Sequence, residues 1–342
     1  MRVLISGYAF PSIAVGLASA FIDKGYQVET FLLDNKRHWF DRIFLKRVNQ
    51  LLKNIFRRND FSVFTNCRYS QEQWYERRFE NVLLGFDPAV VIVIQGKPVF
   101  SILKFKKRNI HFIGWWIEPS DREDEILKIS QGFDDYFSYS KKTVEILASR
   151  GVRAGYMQHA FNPKVFFPKK SKKIYDLVFV GAWSPWRDAV LKKVLEQTTN
   201  IRIFGSRWAS RSTIQKSVLM AAYGGEHLSE SAVNDLYNQA NIVLNASRAQ
   251  MSSGLNLRFF EVLATGTLLL SDIAPEIDSH FRPGRDLVVF NSLEDLGVKV
   301  THLLANKELR GQIAESGYRI VHTSHGYSSL ASRLIDQCSV FH

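Results

Sequence analysis

Short apolar runs rich in β-branched and aromatic residues alternate with amphipathic stretches through the first half of the chain. The runs are RVLISG, QVETFLL, AVVIVIQG, NIHFIGWWI and DDYFSYS, and a helical pattern from about Ser12 to Lys24 separates the first two. Near-continuous apolar strands separated by helices are typical of a parallel sheet covered on both faces. The pattern predicts a doubly wound α/β domain.

The same alternation begins again after AGYMQHAFNPKVFFPKKSKKIYD, a segment with two prolines and a basic cluster that we interpret as a linker. LVFVGAW, IRIFG, NIVLNAS, TLLLSD and DLVVF are predicted strands, with a helix from about Pro185 to Glu196. We therefore expect Rossmann-like domains at residues 1–165 and 166–323, and a final helix at 324–342 that packs back toward the first domain. Ligands of such folds bind beyond the carboxyl ends of the strands, which places a site in the cleft.

Composition is consistent with a chain that folds throughout. Its 342 residues are 46% hydrophobic and 23% charged, enough for two cores. Cys67 and Cys338 lie far apart without metal-ligand spacing, which favours a reducing compartment without disulfides. MRVLISGYAF enters a strand pattern directly, and no long apolar segment follows, so we expect neither a signal peptide nor a spanning helix. These features predict a cytoplasmic protein.

The formal net charge of +12 indicates an anionic partner: a nucleoside diphosphate, an acidic lipid or nucleic acid. Basic residues are dense from Lys36 to Arg58, where apolar residues recur at helical spacing. These apolar positions are Phe40, Ile43, Phe44, Val48, Leu51 and Ile55. The segment predicts a basic amphipathic helix, which either lies on an anionic membrane surface at the cytoplasmic face or packs on a core with its basic side solvated.

The segment GLNLRFFEVLATGTLLLSD, from Gly254 to Asp272, places an arginine and a glutamate in a mostly apolar helix. Gly254 and Asn256 suit a tight loop, and a helix that starts there directs unpaired N–H groups and its positive dipole end at a ligand, phosphate being the usual one. The alternative is that the two charges face solvent, or that they form an ion pair without a role in chemistry.

Several segments resemble the GT-B glycosyltransferases, in particular the CgeB-like spore-maturation group. FVGAWSPWRDAVL, LYNQANIVLNAS and NLRFFEVLATGTLLLSD carry most of the resemblance, and HAFNPKVFFP resembles the family's linker. The resemblance implies two Rossmann-like domains that face each other across a cleft. It also implies transfer of a sugar, most simply a hexose, from a nucleoside-diphosphate sugar to a cell-surface glycan, a lipid-linked acceptor or a protein. No metal and no other cofactor are expected.

Residue roles follow from the same resemblance. Glu261 matches the glutamate that binds the ribose hydroxyls, with Arg258 on the same helical face to pair with it or reach the diphosphate. Arg187 matches the basic residue that neutralises the leaving diphosphate, with a helix-surface arginine as the alternative. Ser253 occupies the position where many retaining enzymes carry a second glutamate, so stereochemistry is not inferred. The remaining donor-site candidates are Gly181, Arg207, Gly254, Leu255 and Asn256.

In the first domain, the loop that contains Gly7 is expected to face the cleft opposite the donor. GWWIEPSD brings Trp115, Trp116 and Glu118 to the end of a strand, where indole rings could stack on a sugar and the carboxylate could act as general base. The alternative places the two tryptophans in the core. His159, just before the linker, is a cleft candidate or a structural residue.

Other classes of function have weaker support. The first loop lacks the glycine trio of a dinucleotide-binding enzyme, although Asp34 ends the second strand. A basic protein that holds nucleic acid without catalysis is the binding-class alternative. The basic residues crowd the first domain while the phosphate-site pattern lies in the second, so no nucleic acid is expected as a partner. Histidine and acidic residues show no metal-ligand spacing.

Overall fold

The computed structural model describes residues 1–8, 11–33, 44, 46–56, 70–95, 104–105, 109–117, 123–247 and 254–342. Within this part of the chain, twelve strands form two six-stranded sheets in which all strand pairs are parallel. Glu118 and Ser253, two of the candidate site residues, lie outside the described residues, as do Asp34, Cys67 and residues 36–43 of the basic segment.

The first sheet has the strand order β2-β1-β3-β4-β5-β6. Its strands are β1 (Arg2–Tyr8), β2 (Gln27–Leu33), β3 (Val90–Ile94), β4 (His111–Trp116), β5 (Asp135–Ser138) and β6 (Ala154–Tyr156). The accompanying helices are α1 (Pro11–Asp23), α2 (Lys46–Phe56), α3 (Gln71–Phe86), α4 (Glu123–Ser130) and α5 (Lys141–Ser149). The order changes direction at β1, so connections leave the sheet toward both edges, as in a doubly wound domain.

The second sheet has the strand order β12-β11-β10-β7-β8-β9. Its strands are β7 (Tyr175–Val180), β8 (Ile201–Phe204), β9 (Tyr223–Gly225), β10 (Ala240–Asn245), β11 (Leu268–Asp272) and β12 (Val288–Phe290). The helices are α6 (Pro185–Leu195), α7 (Trp208–Arg211), α8 (Lys216–Ala222), α9 (Glu230–Asn238), α10 (Leu257–Ala264), α11 (Leu293–Ala305), α12 (Lys307–Ser324) and α13 (Tyr327–Gln337).

Each sheet is covered by an apolar core layer on both faces, because successive side chains of a buried strand point to opposite sides. β11 is therefore buried along its whole length, LLLSD, including its two polar residues.

The last helix, α13, packs against α1 at the other end of the chain. Its buried residues Tyr327, Leu330 and Leu334 share one core layer with β1 and β3 of the first sheet. A Cβ on Gly16 of α1 would lie 2.4 Å from the Tyr327 ring, so only glycine lets the two helices approach this closely. The chain therefore completes the first half's core after it has built the second half.

The sequence patterns missed two strands, β6 and β9. Each has three residues and contains glycine, AGY and YGG, and each lies at the edge of its sheet. β6 falls inside the segment interpreted as a linker, so the strand content of the first half extends further than the pattern indicated. The reason is that a three-residue strand carries too few alternating positions to be recognised.

Candidate functional site

The carboxyl ends of the central strands of the second sheet meet at one edge, which we call the donor edge. β7 is followed there by Gly181, β8 by Gly205 and β10 by Ala246. β10, β7 and β8 are neighbours in the sheet, so these three turns lie side by side. In open α/β sheets, ligands bind at such an edge.

Glycine is required where two of these turns touch. Gly205 has φ of +141°, and a Cβ built on it would lie 2.0 Å from the carbonyl oxygen of Gly181. The same carbonyl accepts a hydrogen bond of 2.8 Å from Trp208 Nε1, which fixes the turn after β7. The backbone therefore forms a compact wall at the donor edge without side chains that would fill it.

Helix α10 begins at the donor edge and is tied to the end of β10. Asn256 caps the helix by accepting a hydrogen bond from Arg258 N at 3.1 Å, and its Nδ2 donates to Asn245 Oδ1 at 3.1 Å. Gly254, with φ of +83°, turns the chain into this cap. The positive end of α10 is therefore held at the edge, as a site for an anion requires. Leu255 is fully buried beneath the turn.

Arg258 and Glu261 form an ion pair on the first turns of α10. Arg258 Nη1 lies 3.0 Å from Glu261 Oε2, and Arg258 Nε donates to Val180 O at 2.8 Å. Glu261 is 5% exposed, and burial raises the pKa of its carboxyl while the Arg258 guanidinium opposes that shift. The arginine is thus fixed to the end of β7, and it orients the carboxylate that lies behind it.

A cavity of about 340 Å³ opens at the donor edge in front of this pair. Its volume is at the lower end of the range for small-molecule sites. Its wall combines the glycine turns with apolar side chains and carboxylates from the segment 226–233. The lining residues are Phe166, Val180, Gly181, Ala182, Phe204, Gly205, Ser206, Glu226, His227, Leu228, Glu230, Val233, Arg258 and Glu261.

Arg187 lies in the first turn of α6, the helix that follows the turn after β7. Ser184 caps this helix by accepting from Arg187 N, and the guanidinium donates to two backbone oxygens, Ala246 O at 2.8 Å and Ala182 O at 2.9 Å. Its Cζ is 5.6 Å from the centre of the Phe179 ring. The cation is therefore fixed between the ends of β7 and β10, and it is not among the residues that line the cavity.

A buried carboxylate that the sequence analysis did not single out, Asp272, braces the same region. It accepts hydrogen bonds from Ser247 N at 2.8 Å and from Trp186 Nε1 at 3.0 Å. Burial raises the pKa of Asp272, whereas these hydrogen bonds and the nearby Arg187 act in the opposite direction. Asp272 therefore joins the ends of β10 and β11 to the start of α6. Its position at the end of a predicted strand was the signal available in the sequence.

Asp188 is a second buried carboxylate beneath the donor edge. It accepts hydrogen bonds from Trp183 Nε1 at 3.1 Å and from Thr213 N at 3.2 Å, and from the Ser212 and Thr213 hydroxyls. Burial alone would raise the pKa of Asp188, but these hydrogen bonds outweigh it and lower the pKa. The residue locks the first turn of α6, and with it Arg187, to the loop after α7.

Arg207 does not line the cavity. It is exposed, has φ of +67°, and precedes the short helix α7. Its neighbour Ser206 does line the cavity, so the turn after β8 contributes Gly205 and Ser206 to the cavity wall.

The aromatic residues of the first half are buried. Trp115 and Trp116 are each 1% exposed, in different core layers on the two faces of β4, and Trp115 Nε1 donates to Met157 O at 3.1 Å. Their burial corrects the prediction of an exposed sugar platform and agrees with the alternative, a core position. Gly7 is enclosed by the neighbouring strand, since a Cβ there would lie 2.6 Å from Ile94 O. The neighbouring strand therefore leaves no space for a side chain at Gly7.

His159 is 5% exposed and lies against Tyr139, with 4.7 Å between the ring centres. Its Nδ1 has no hydrogen-bond partner, and burial lowers the pKa of the imidazole to about 4. A neutral, enclosed ring favours the structural alternative over a cleft position.

No group of three or more His, Cys, Asp or Glu side chains in the described part of the chain is placed to hold a metal ion. No helix within the described ranges combines the length and the apolar character needed to cross a membrane.

Two doubly wound parallel sheets, with a cavity at the carboxyl edge of the second, define a GT-B fold. A protein-family model described as glycosyl transferase-like matches residues 187–336, which include most of α6, the turns after β8 and β10, and α10. A search of curated proteins finds no match to this chain. The CgeB-like subgroup stays a prediction.

Solved structures of other proteins align with nearly the whole chain. Sucrose-phosphate synthase from Thermosynechococcus elongatus is 12% identical, with 98% of each chain covered and a TM-score of 0.65. A glycosyltransferase from Rickettsia africae is 12% identical over 98% of this chain and 97% of that chain, with a TM-score of 0.66. HepE from Anabaena, in complex with UDP and glucose, is 9% identical over 98% of each chain, with a TM-score of 0.66. These likenesses confirm the predicted fold.

Proposed function

We propose that this protein transfers a sugar, a hexose in the simplest case, from a nucleoside-diphosphate sugar to an acceptor. The observation that carries the proposal is the cavity at the donor edge, lined by the ion pair of Arg258 with the buried Glu261. A carboxylate fixed by an arginine suits the two neighbouring hydroxyl groups of a ribose. The glycosyl transferase-like match to residues 187–336 and the UDP bound in the similar HepE structure support the same reading.

The proposed chemistry needs positive charge where the diphosphate departs. Breaking the bond between sugar and diphosphate leaves additional negative charge on the diphosphate, so groups fixed in advance near that charge lower the barrier. Arg187 and the positive end of α10 are both fixed at the donor edge by hydrogen bonds. We propose that they fill this role without a metal, and we expect a chelator to leave turnover unchanged. Glu118 stays the predicted general base toward the acceptor.

Thermal-shift and calorimetric titration with a panel of nucleoside diphosphates and their sugars tests the proposal. A ligand that binds only the native state raises the melting temperature by mass action, by an amount that grows with concentration above the dissociation constant. We expect one nucleoside diphosphate to bind in preference to NAD and to a single-stranded oligonucleotide. Tighter binding of the oligonucleotide than of every nucleotide would favour the nucleic-acid alternative instead.

We further propose that α2 holds the first half on an anionic bilayer, so that a lipid-linked or other cell-surface acceptor can reach the cleft. No described side chain of α2 is buried. Its apolar residues Leu51 and Ile55 are 61% and 62% exposed, and Phe44, just before the helix, is 53% exposed. The core-packing alternative requires these residues to be enclosed. Arg47 and Lys53 lie on the same helix, and KRVNQLLKNIF contains no acidic residue.

Vesicle flotation tests this attachment. A variant with Arg42, Lys46, Arg47 and Lys53 changed to glutamine should lose binding to vesicles with acidic lipid, because each basic residue near such a surface contributes about 1 kcal/mol. The matched control loses the same charge from exposed positions in the second half: Lys192, Arg211, Lys216 and Lys307. Equal binding by both variants, or no binding of the unmodified protein at low salt, would show that α2 is not the contact.

A further inference from the structure

A buried carboxylate, Glu276, lies where the two halves of the molecule meet the turn from Gly254 to Asn256, which we call the donor loop. It follows β11 in the second half and is 5% exposed. Its Oε1 accepts hydrogen bonds from Gly254 N and from Lys141 N, each at 3.0 Å, and its Oε2 accepts from the Tyr156 hydroxyl at 2.8 Å. One side chain therefore satisfies donors from three separate segments of the chain.

The first of these segments leads directly into the donor site. Gly254 is two residues before Asn256, the cap of α10. Its Cα faces the first half: a Cβ there would lie 2.3 Å from the ring of Tyr139, a residue only 2% exposed. The position of Gly254 is thus set by two contacts, the hydrogen bond to Glu276 and the surface of Tyr139.

The other two segments belong to the first half. Lys141 is the first residue of α5, so its N–H is one of the groups that the helix itself leaves unpaired. Tyr156 ends β6, and its hydroxyl also meets His280 Nε2 at 2.6 Å and Gln158 Nε2 at 3.2 Å. Lys141 Nζ adds a bond of 2.8 Å to Ser279 Oγ. Separation of the halves would break the contacts of Lys141 with Glu276 and Ser279 together with those of Tyr156 with Glu276 and His280.

We propose that Glu276 is a positioning residue that links the approach of the two halves to the placement of the donor loop at Gly254. The inference rests on the proposed function, because the loop matters through α10 and the nucleotide that Glu261 would bind. When the halves are together, the carboxylate holds Gly254 and thereby the capped start of α10. When the halves separate, it loses the partners that orient it, and the loop loses its anchor.

The choice of variants follows from the hydrogen bonds. In Glu276→Gln, the amide oxygen can accept from Gly254 N and Lys141 N, while the amide nitrogen can donate to the Tyr156 hydroxyl, which is then free to donate its own hydrogen to His280 Nε2. Glu276→Ala removes this acceptor from Gly254 N and Lys141 N, and leaves the Tyr156 hydroxyl with His280 and Gln158 only. Tyr156→Phe removes one contact with the first half and keeps the bond to Gly254.

A matched control separates positioning from general stability. Asp286 is also a buried carboxylate of the second half, 1% exposed, and it accepts from Arg282 N at 2.8 Å and Ser316 Oγ at 2.6 Å. It touches neither Gly254 nor the first half in these hydrogen bonds. Asp286→Ala should therefore lower the melting temperature without changing nucleotide affinity measured well below it.

The experiment combines hydrogen exchange of the ligand-free protein with kinetics. We expect Glu276→Ala to speed exchange at Gly254 and at Lys141 together and to raise the donor KM about tenfold, the loss expected for one buried hydrogen bond to a charged group. Glu276→Gln should restore both readouts, and Tyr156→Phe should give a smaller effect. Unchanged exchange at Gly254 in Glu276→Ala, or a KM equal to that of Asp286→Ala, would overturn the inference. If the unmodified protein binds no nucleotide, the proposed function fails, while the exchange data still decide the role of Glu276.

Discussion

At the scale of single residues, Glu261 is the most direct test of the donor site. Glu261→Ala should weaken binding of the preferred nucleoside diphosphate by about 1.5 to 3 kcal/mol, because a charge-assisted hydrogen bond to the ribose is lost. Glu261→Gln should lose less, since its amide oxygen can still accept from Arg258 and from a hydroxyl. Calorimetric titration measures the nucleotide affinity of both variants. Glu308→Gln on the exposed surface of α12 is the control, and equal affinities in all variants would remove Glu261 from the site.

Arg187 should affect turnover more than donor affinity. In the proposed mechanism it meets charge that grows as the sugar departs. Arg187→Ala is therefore expected to lower kcat at least tenfold, which corresponds to a barrier raised by about 1.4 kcal/mol or more, with a smaller change in KM. Arg187→Lys should recover part of kcat, but not the paired hydrogen bonds to Ala246 and Ala182. Steady-state kinetics at a temperature where both variants remain folded distinguish the two effects. A raised KM with unaltered kcat would indicate ground-state binding alone.

Residue spacing predicted only what lies within a few positions along the chain. The Arg258–Glu261 pair follows from a separation of three residues on a helix, and the structure contains it. Glu276 could not be found in this way, because its partners Gly254, Tyr156 and Lys141 are 22, 120 and 135 residues away. The burial of Trp115 and Trp116 likewise depends on which layers cover β4, and this is a property of the assembled sheet.

At the scale of elements, the cap of α10 connects helix stability to ligand binding. Asn256→Ala should lower the free energy of unfolding by about 1 kcal/mol, because Arg258 N loses its acceptor. Nucleotide affinity should fall as well, since the positive end of the helix is then less firmly tied to β10. Asn256→Asp keeps the acceptor for Arg258 N and serves as the control for the cap. Chemical denaturation and titration on the same samples would separate the two effects, and loss of stability without loss of affinity would contradict the link.

Long, apolar elements were predictable and short edge strands were not. β3 and β11 are fully buried runs whose composition alone identifies them. β6 and β9 form only because an adjacent strand supplies the hydrogen-bond partners, and their glycines weaken any local preference for a strand. In the basic segment, the helical period was visible in the sequence, whereas the exposure of Leu51 and Ile55 required the structure.

At the scale of the whole molecule, buried histidines predict a loss of stability in mild acid. Burial holds the pKa of His159 and His280 at about 4, and that of His325 at about 3. In the unfolded chain these groups bind protons below about pH 6.5. The unfolded state therefore binds more protons, and stability falls as the pH drops from about 6.5 toward 4, by up to about 3 kcal/mol for His159 alone.

Urea denaturation between pH 7.5 and 4.5 measures this dependence. His159→Met should flatten it, because an apolar side chain in the same enclosure takes up no proton in either state. His302→Gln, at an exposed position on α11, should leave the slope as it is in the unmodified protein. A stability that does not change over this range would show that the imidazoles are charged, or solvated, in the folded protein.

The return of α13 to α1 has a consequence for how the protein is made on the ribosome. The face of α1 that Tyr327, Leu330 and Leu334 cover remains open while more than 300 intervening residues are synthesised. The second half, whose strands and helices up to α12 are contiguous in sequence, can fold in the meantime. The first half would then reach its final form last, although it leaves the ribosome first, and until α13 arrives its uncovered apolar surface is open to aggregation.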